Sequence, residues 1–236
     1  MSNFLAENLR SIHQRIKIAA ARAGRARQDV TLVAVTKTAT SQQIVEALAS
    51  GITHLGENRI QDAAVKIPQL LFSSDAKVCW HMIGHLQSNK VNKAVTLFDR
   101  IDSVDRWEIV EALDRRLGVI KKDMEALLEV KLSEEPNKSG LPSADVMGAV
   151  RRWGQIKHIK LRGLMTIAPL GEDSSKARSA FRKLRNLFDA INASKALPDR
   201  LDVLSMGMTD DFEIAVEEGS TEVRIGRALF SPRGNP

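Results

Sequence analysis

Residues 31–38 read Thr-Leu-Val-Ala-Val-Thr-Lys-Thr, a short β-branched run that stops on a lysine between two threonines. An apolar run of this length is a strand buried on both faces, the form strands take in a parallel sheet. Upstream, Leu5, Leu9, Ile12, Ile16 and Ala19 recur at helical spacing, which predicts an amphipathic helix over 3–23 that ends near Gly24. Downstream, strand-like runs follow at 53–57, 78–83, 98–103, 126–132, 159–167, 201–206 and 221–225. Between them lie helical patterns at 59–71 and 90–95, one after Asp105 with Glu108 in the reciprocal capping position, and one from Ser143 beyond a polar loop. The clearest helix puts Ala177, Ala180, Phe181, Leu184, Leu187, Phe188 and Ile191 on one face. The next opens with Thr209, Asp210 and Asp211, which suit a positive helix N-terminus, and stops at Gly219. Eight strand-plus-helix units behind one extra N-terminal helix predict the α/β class and a closed (β/α)8 TIM barrel, in one domain spanning 1–236. A doubly wound open sheet is the alternative topology.

Composition excludes several other classes. Of 236 residues, 43% are hydrophobic and 27% charged, enough for a substantial core and wrong for a disordered, collagenous or coiled-coil chain. No uncharged apolar run approaches the ~18 residues of a membrane span. The N-terminus, Met-Ser-Asn-Phe-Leu-Ala-Glu, lacks the basic segment and apolar stretch of a signal peptide. The lone cysteine, Cys79, has no internal disulfide partner and reads as a small core residue, so a reducing, cytoplasmic setting is expected. The net charge of +6 is scattered over helix surfaces, and Arg22, Arg25 and Arg27 lack interleaved aromatics, so no nucleic-acid partner is expected. Trp80, Trp107 and Trp153 are scattered and read as packing residues.

In a barrel, chemistry sits at the C-terminal ends of the strands. Taken in order, those ends carry Lys37; Glu57 and Asn58; His81, Gly84 and His85; Ser103; Lys131; Met165 and Thr166; Ser205, Met206 and Gly207; and Arg224, Gly226 and Arg227. These residues come from unrelated parts of the chain, yet the expected fold gathers them on one face. If Lys37 is withdrawn from water it keeps a neutral amine that can attack a carbonyl; the alternative is a strand-end lysine that snorkels to solvent. Barrels often bind phosphate in the loops after the last two strands, using backbone N–H groups and a short helix N-terminus. Gly207 and Gly226 permit close backbone approach there, Ser205 supplies a hydroxyl, and 228–231 can begin such a helix. A lysine and a phosphate cradle across one mouth point to a phosphorylated carbonyl, either pyridoxal 5′-phosphate or a sugar-phosphate aldehyde. His81 and His85 share i, i+4 spacing, but His81 lies on a strand and no cysteine or carboxylate cluster joins them, so no metal is expected.

Six stretches, in order, resemble the YggS/PROSC family of pyridoxal phosphate homeostasis proteins over nearly the whole chain. They are Leu-Val-Ala-Val-Thr-Lys-Thr at 32–38, Gly-Glu-Asn-Arg-Ile-Gln at 56–61, and Trp-His-Met-Ile-Gly-His-Leu-Gln-Ser-Asn-Lys at 80–90. The others are Gly-Leu-Met-Thr at 163–166, Leu-Ser-Met-Gly-Met-Thr-Asp-Asp at 204–211 and Val-Arg-Ile-Gly at 223–226. The resemblance implies a fold-type III barrel related to the N-terminal domain of alanine racemase, without the C-terminal β-domain, holding pyridoxal phosphate as an internal aldimine. It implies that Lys37 is the Schiff-base lysine, Arg224 faces the pyridine nitrogen, Asn58 flanks the ring, and Ser205 and Gly226 help hold the phosphate. His81, Gly84, Met165, Met206, Gly207 and Arg227 complete the expected cofactor-binding set. Family members usually carry threonine or serine after Arg-Ile-Gly, with its hydroxyl on the phosphate. This chain has Arg227, whose guanidinium offers a charge-assisted contact instead.

The implied role is intracellular pyridoxal phosphate homeostasis: a cytoplasmic monomer that buffers the cofactor or delivers it to apo-enzymes, without catalytic turnover. The alternatives are a racemase-like pyridoxal phosphate enzyme and, from another class, a nucleic-acid binder using the net positive charge. Alanine racemase sets a tyrosine opposite its cofactor lysine as a second base. This sequence contains no tyrosine and stops at Pro236 soon after the last strand. An always-protonated arginine at the pyridine nitrogen also weakens the ring as an electron sink.

Overall fold

In a computed structural model, which describes residues 3–71, 78–132, 139–169 and 174–232, the alternation of strand and helix becomes a closed ring. Helix α1 (Asn3–Arg22) precedes β1 (Thr31–Val35), α2 (Ser41–Ala49), β2 (His54–Glu57), α3 (Ile60–Leu71) and β3 (Cys79–Met82). Next come α4 (Val91–Leu97), β4 (Arg100–Val104), α5 (Trp107–Ile120), β5 (Met124–Lys131), a two-residue β6 (Leu141–Pro142), α6 (Val146–Trp153) and β7 (Ile159–Met165). Helix α7 (Ser174–Ser194), β8 (Val203–Ser205), α8 (Phe212–Glu217), β9 (Glu222–Ile225) and the short α9 (Arg227–Phe230) complete the order.

The strands run β4-β3-β2-β1-β9-β8-β7-β5, and β4 pairs back onto β5, so the ring closes with parallel pairings throughout. Closure leaves the eight strands of the ring without an open edge among the described residues and excludes the open doubly wound topology. Strand β6 lies outside the ring as a parallel addition to β5. Two residues carry no readable periodicity, which is why the sequence did not announce it. The polar loop expected after the fifth strand lies partly outside the described residues.

Strand β1 shows why a near-continuous apolar run was required. Leu32 and Ala34 are buried in the outer core beneath the helices, while Val33 and Val35 turn to the barrel axis beside Gly56 and Gly226. Helix α7 buries the expected face, with Leu187 only partly covered at its margin. Helix α1 packs on α8 and α9, where Asn8 Nδ2 donates to the carbonyls of Leu229 and Ser231 at 3.1 and 2.9 Å. The basic stretch is tied down within the chain: Arg22 pairs with Glu217, while Arg25 and Arg27 donate to the backbone carbonyls of Ser220 and Val30. Two of the three tryptophans meet, Trp107 edge-on to Trp153 at 6.0 Å with the Arg152 guanidinium over Trp107. No helix among the described residues is long and apolar enough to cross a membrane.

One capping expectation is corrected. Helix α5 starts at Trp107 with Arg106 as its cap residue, and Asp105 makes no cap bond. Its carboxylate instead accepts from His85 Nδ1 at 2.7 Å and Arg106 Nη1 at 2.6 Å, charge-assisted partners that outcompete a backbone N–H.

Below the mouth, the interior is polar. Arg100 is buried and donates from Nε and Nη2 to Asp102 at 2.6 and 3.0 Å, and from Nη2 to Glu222 across the barrel. His81 Nδ1 lies 3.0 Å from Asp102 Oδ2, and its Nε2 lies 2.9 Å from His54 Nδ1. Burial disfavours every charge here, but mutual attraction outweighs it. It holds the Asp102 carboxyl well below its ordinary range and lifts His81, against burial, to about 10 through Asp102.

Candidate functional site

Strand β1 delivers Thr36 and Lys37 to the mouth. The Thr36 N–H donates to the Gly56 carbonyl at 2.9 Å, continuing the β1–β2 ladder by one residue. Thr36 Oγ1 donates to Glu57 Oε1 at 2.7 Å, and Lys66 Nζ on α3 donates to the same oxygen at 2.8 Å and to the Thr36 carbonyl at 2.6 Å. A buried carboxylate and a half-buried lysine thus fix the backbone that carries Lys37. The lysine itself is exposed in the turn after β1, so the expectation that it is withdrawn from water is corrected.

The ends of β2, β3 and β4 form a second group. Gly84 approaches the Asn58 backbone so closely that a Cβ there would run into the Asn58 carbonyl. Ser103 Oγ donates to the Gly84 carbonyl at 2.6 Å, which locks the β3 end to β4. Asn58 Oδ1 is buried and has no hydrogen-bond partner. Beside it opens a cavity of about 360 Å³ lined by Asn58, Gln61, Met82, His85, Gln87 and Lys90.

The third group centres on Arg224, which is buried on β9. Its Nη1 donates to Ser205 Oγ at 2.7 Å and its Nη2 to the Thr166 carbonyl at 2.9 Å, so three strand ends aim one guanidinium. Burial pulls this guanidinium below its ordinary pKa while the surrounding carboxylates oppose the shift. Among those carboxylates is Glu129 on β5, raised to about 7 chiefly by burial, then by Asp105, with Arg224 opposing. Met165 is fully buried and stands outside the outer core cluster, on the barrel-axis side.

The loops after β8 and β9 shape the remaining side of the mouth. Gly207 has φ +94°, and a Cβ there would lie 2.5 Å from the Ala215 side chain, so both conformation and packing require glycine. Its carbonyl accepts from the Arg224 N–H at 3.0 Å, tying the two loops together. Gly226 caps α9 and sits against Val35 of β1, where a Cβ would stand 3.1 Å from the Val35 carbonyl. Arg227 turns outward, its Nη2 bound by both Asp210 oxygens at 2.6 and 2.7 Å.

The structure therefore brings Lys37, Asn58, Gly84, Met165, Ser205, Gly207, Arg224 and Gly226 toward one end of the barrel. It directs three others elsewhere. Both nitrogens of His81 are engaged inside the barrel, the Met206 side chain packs in the outer core, and the Arg227 guanidinium is held at the surface.

Comparison with known proteins bears on the family and the fold. Residues 8–233 match the family model for the alanine racemase N-terminal domain. The pyridoxal phosphate homeostasis protein of Pasteurella multocida is 37% identical over 228 residues, covering 96% of this chain and 97% of its own. The chain belongs to the pyridoxal phosphate homeostasis protein family. PipY of Synechococcus elongatus PCC7942, solved with PLP bound, aligns with a TM-score of 0.84 at 37% identity, over 96% of this chain and 100% of that one. Alanine racemase of Clostridium difficile 630 is alike in fold alone, with a TM-score of 0.76 at 10% identity over 99% of this chain and 61% of that one.

Within this family's barrel, Glu129 and Lys66 went unread in the sequence, and Asp210 was read only as a helix-opening residue. Glu129 had a signal, since an acid inside the apolar run Ala-Leu-Leu-Glu-Val at 126–130 needs a reason to be there. Lys66 and Asp210 had none, because surface-type residues on a helix and in a loop gain roles only through tertiary contact.

Proposed function

We propose that the chain is a pyridoxal phosphate-binding protein of cofactor homeostasis. In this reading it is one (β/α)8 domain that holds the cofactor covalently at Lys37 and buffers it or delivers it to apo-enzymes, as a cytoplasmic monomer without turnover. The observation that carries the reading is the convergence of Lys37, Asn58, Arg224 and Gly226 on one mouth, supported by the relative solved with PLP bound.

The residues present fit such a group. Asn58 Oδ1 is a buried acceptor in want of a donor, and the close packing that Gly84, Gly207 and Gly226 permit fixes the segments around it. When bound, the cofactor supplies an aldehyde for a lysine amine and an aromatic ring that can take up electrons. Lys37 offers that amine from a turn whose backbone Glu57 and Lys66 hold in place. Arg224, aimed by Ser205 and Thr166, would offer only donors to the cofactor's ring nitrogen and would disfavour a second positive charge there. That arrangement suits storage more than carbanion chemistry. Backbone N–H groups around Gly226 and the Ser205 hydroxyl serve the phosphate, while His81 and the side chains of Met206 and Arg227 stay outside the contact set.

The test is direct. Protein loaded with pyridoxal phosphate is treated with borohydride and mapped by peptide mass. Label on the Lys37 peptide, and loss of bound-cofactor absorbance in Lys37→Ala, are the expected results; label retained on another lysine overturns the assignment. One observation favours a second, racemase-like reading: Glu129, with a pKa near 7 beside Arg224, is poised to exchange protons. Exchange of the alanine α-hydrogen with D2O at about 1–10³ s⁻¹ would establish that reading in place of ours.

A further inference from the structure

We propose that the N-terminal end of the barrel, opposite the mouth, is a binding site for a zinc-class divalent ion, with His54, Cys79 and His81 as ligands. His54 and Cys79 are the first residues of β2 and β3 and stand directly opposite each other in the ladder. His81, two residues beyond Cys79, shares its face of the strand. One nitrogen of each histidine and the cysteine sulfur all lie within 4.8 Å of one another.

Two imidazoles and a thiolate are the borderline-soft donors that zinc prefers over magnesium or calcium. At metal–ligand distances of roughly 2.0–2.3 Å, tetrahedral ligand atoms stand roughly 3.3–3.8 Å apart. The facing nitrogens of His54 and His81, now 2.9 Å apart, need to open by only about half an ångström. Three protein ligands leave the fourth position to water.

The surroundings are those of a metal-bound histidine. The other nitrogen of His81 is held by Asp102 at 3.0 Å, which fixes the ring and its tautomer, and Arg100 fixes Asp102 in turn through two bonds. Charge points the same way. In this layer Asp102 and Glu222 are matched by Arg100 and by His81, which Asp102 holds protonated, and Glu222 Oε1 is buried without a partner. A divalent ion with one thiolate adds one positive charge and the proton it displaces from His81 removes one, so the layer stays balanced when the ion is bound. Binding sends two protons to buffer, the Cys79 thiol proton and the His81 Nε2 proton, and leaves the sulfur as the anionic ligand and His81 as a neutral one. Cys79 and His54 are only partly buried, so an ion has a way in from this face, and the expectation that Cys79 is an ordinary core residue is corrected.

The experiment uses full-length protein freed of metal, with and without pyridoxal phosphate, and Co2+ as a spectroscopic stand-in for Zn2+. One equivalent of Co2+ should produce a sulfur-to-cobalt charge-transfer band and tetrahedral d–d absorption, both abolished by one equivalent of Zn2+. Cys79→Ser should lose the sulfur band and bind Co2+ at least tenfold more weakly, and Asp102→Asn should weaken binding about 10–100-fold. In the unaltered protein, Zn2+ should protect Cys79 from alkylation, a readout that holds even if a variant folds poorly. No sulfur band at one equivalent, the same spectrum in Cys79→Ser, or alkylation indifferent to Zn2+ would each overturn the proposal.

Discussion

At the N-terminal end of the barrel, Arg100, Asp102, Glu222, His81 and His54 satisfy one another, leaving Glu222 Oε1 as the one unmatched oxygen among them. At the mouth, Asn58 Oδ1 is buried unmatched, Lys37 reaches solvent, and three glycines let neighbouring segments pack closely. The same eight strands therefore carry one end whose polar groups are mostly spent on each other and one end whose groups await a partner. Stability should be sensitive to change at the first end, and cofactor binding at the second.

The sharpest way to break this contrast is Arg100→Met. It strands two buried carboxylates, and removing one partner of a buried ion pair typically costs about 3–5 kcal/mol. Lys37→Ala, at the exposed mouth, should change stability by no more than about 0.5 kcal/mol while abolishing the covalent cofactor link. Urea denaturation of the two variants without cofactor decides it. Similar losses in both would mean that the two ends are not energetically distinct.

Glu129 sharpens the comparison through pH. Burial raises its folded pKa from 4.5 to about 7, so the folded state binds its proton more tightly than the unfolded chain does. The associated stability is fully present below about pH 4.5 and is lost as pH rises through about 7, a change on the order of 3 kcal/mol. Glu129→Gln removes the titration, so the difference in stability between wild type and variant should fall by that order between pH 4.5 and 8. A flat difference would mean that Glu129 is ionised in the fold at all these pH values, as an acceptor at the mouth rather than a buried acid.

How much of this was legible in the sequence follows from what each residue contacts. Strand β1 announced itself because residues 31–35 are buried on both faces, and the face of α7 because helical periodicity survives any tertiary arrangement. Gly207 and Gly226 were legible as chemistry of the last two loops because backbone approach leaves glycine as its trace. The N-terminal network was not legible. His54, Arg100 and Glu222 sit at strand starts, where a polar residue reads as a boundary, and only barrel closure brings β9 to face β4. His81 was weighed with His85, a neighbour in sequence, and Cys79 was read as a core residue, when both have His54 on the adjacent strand as their neighbour in space.

Gly84→Ala probes the mouth at intermediate cost. The added Cβ meets Asn58 backbone, which cannot swing aside as a flexible side chain would. Overpacking of this kind costs about 1–3 kcal/mol, and it should shift Asn58 enough to weaken cofactor binding measurably. Full affinity in a well-folded Gly84→Ala protein would remove Asn58 from the contact set.

The smallest effect is expected at Arg227, although the family resemblance places it where a phosphate-binding hydroxyl is usual. Its guanidinium is already engaged by both oxygens of Asp210, and both side chains are largely exposed, at 58% and 78%. An exposed pair of this kind contributes about 0–1 kcal/mol and is screened by salt. For the guanidinium to reach a phosphate it would first have to leave Asp210, so most of the gain from one anion is offset by the loss of the other. Arg227→Ala should therefore leave cofactor affinity within about twofold and its salt dependence unchanged, because backbone N–H groups at this loop do not depend on the side chain. Titration of the variant at two ionic strengths checks this. A loss of tenfold or more, about 1.4 kcal/mol, with a flatter salt response would show that Arg227 abandons Asp210 when the phosphate arrives. The loop after β9 would then be a part of the mouth that rearranges on binding, in contrast to the fixed network beneath it.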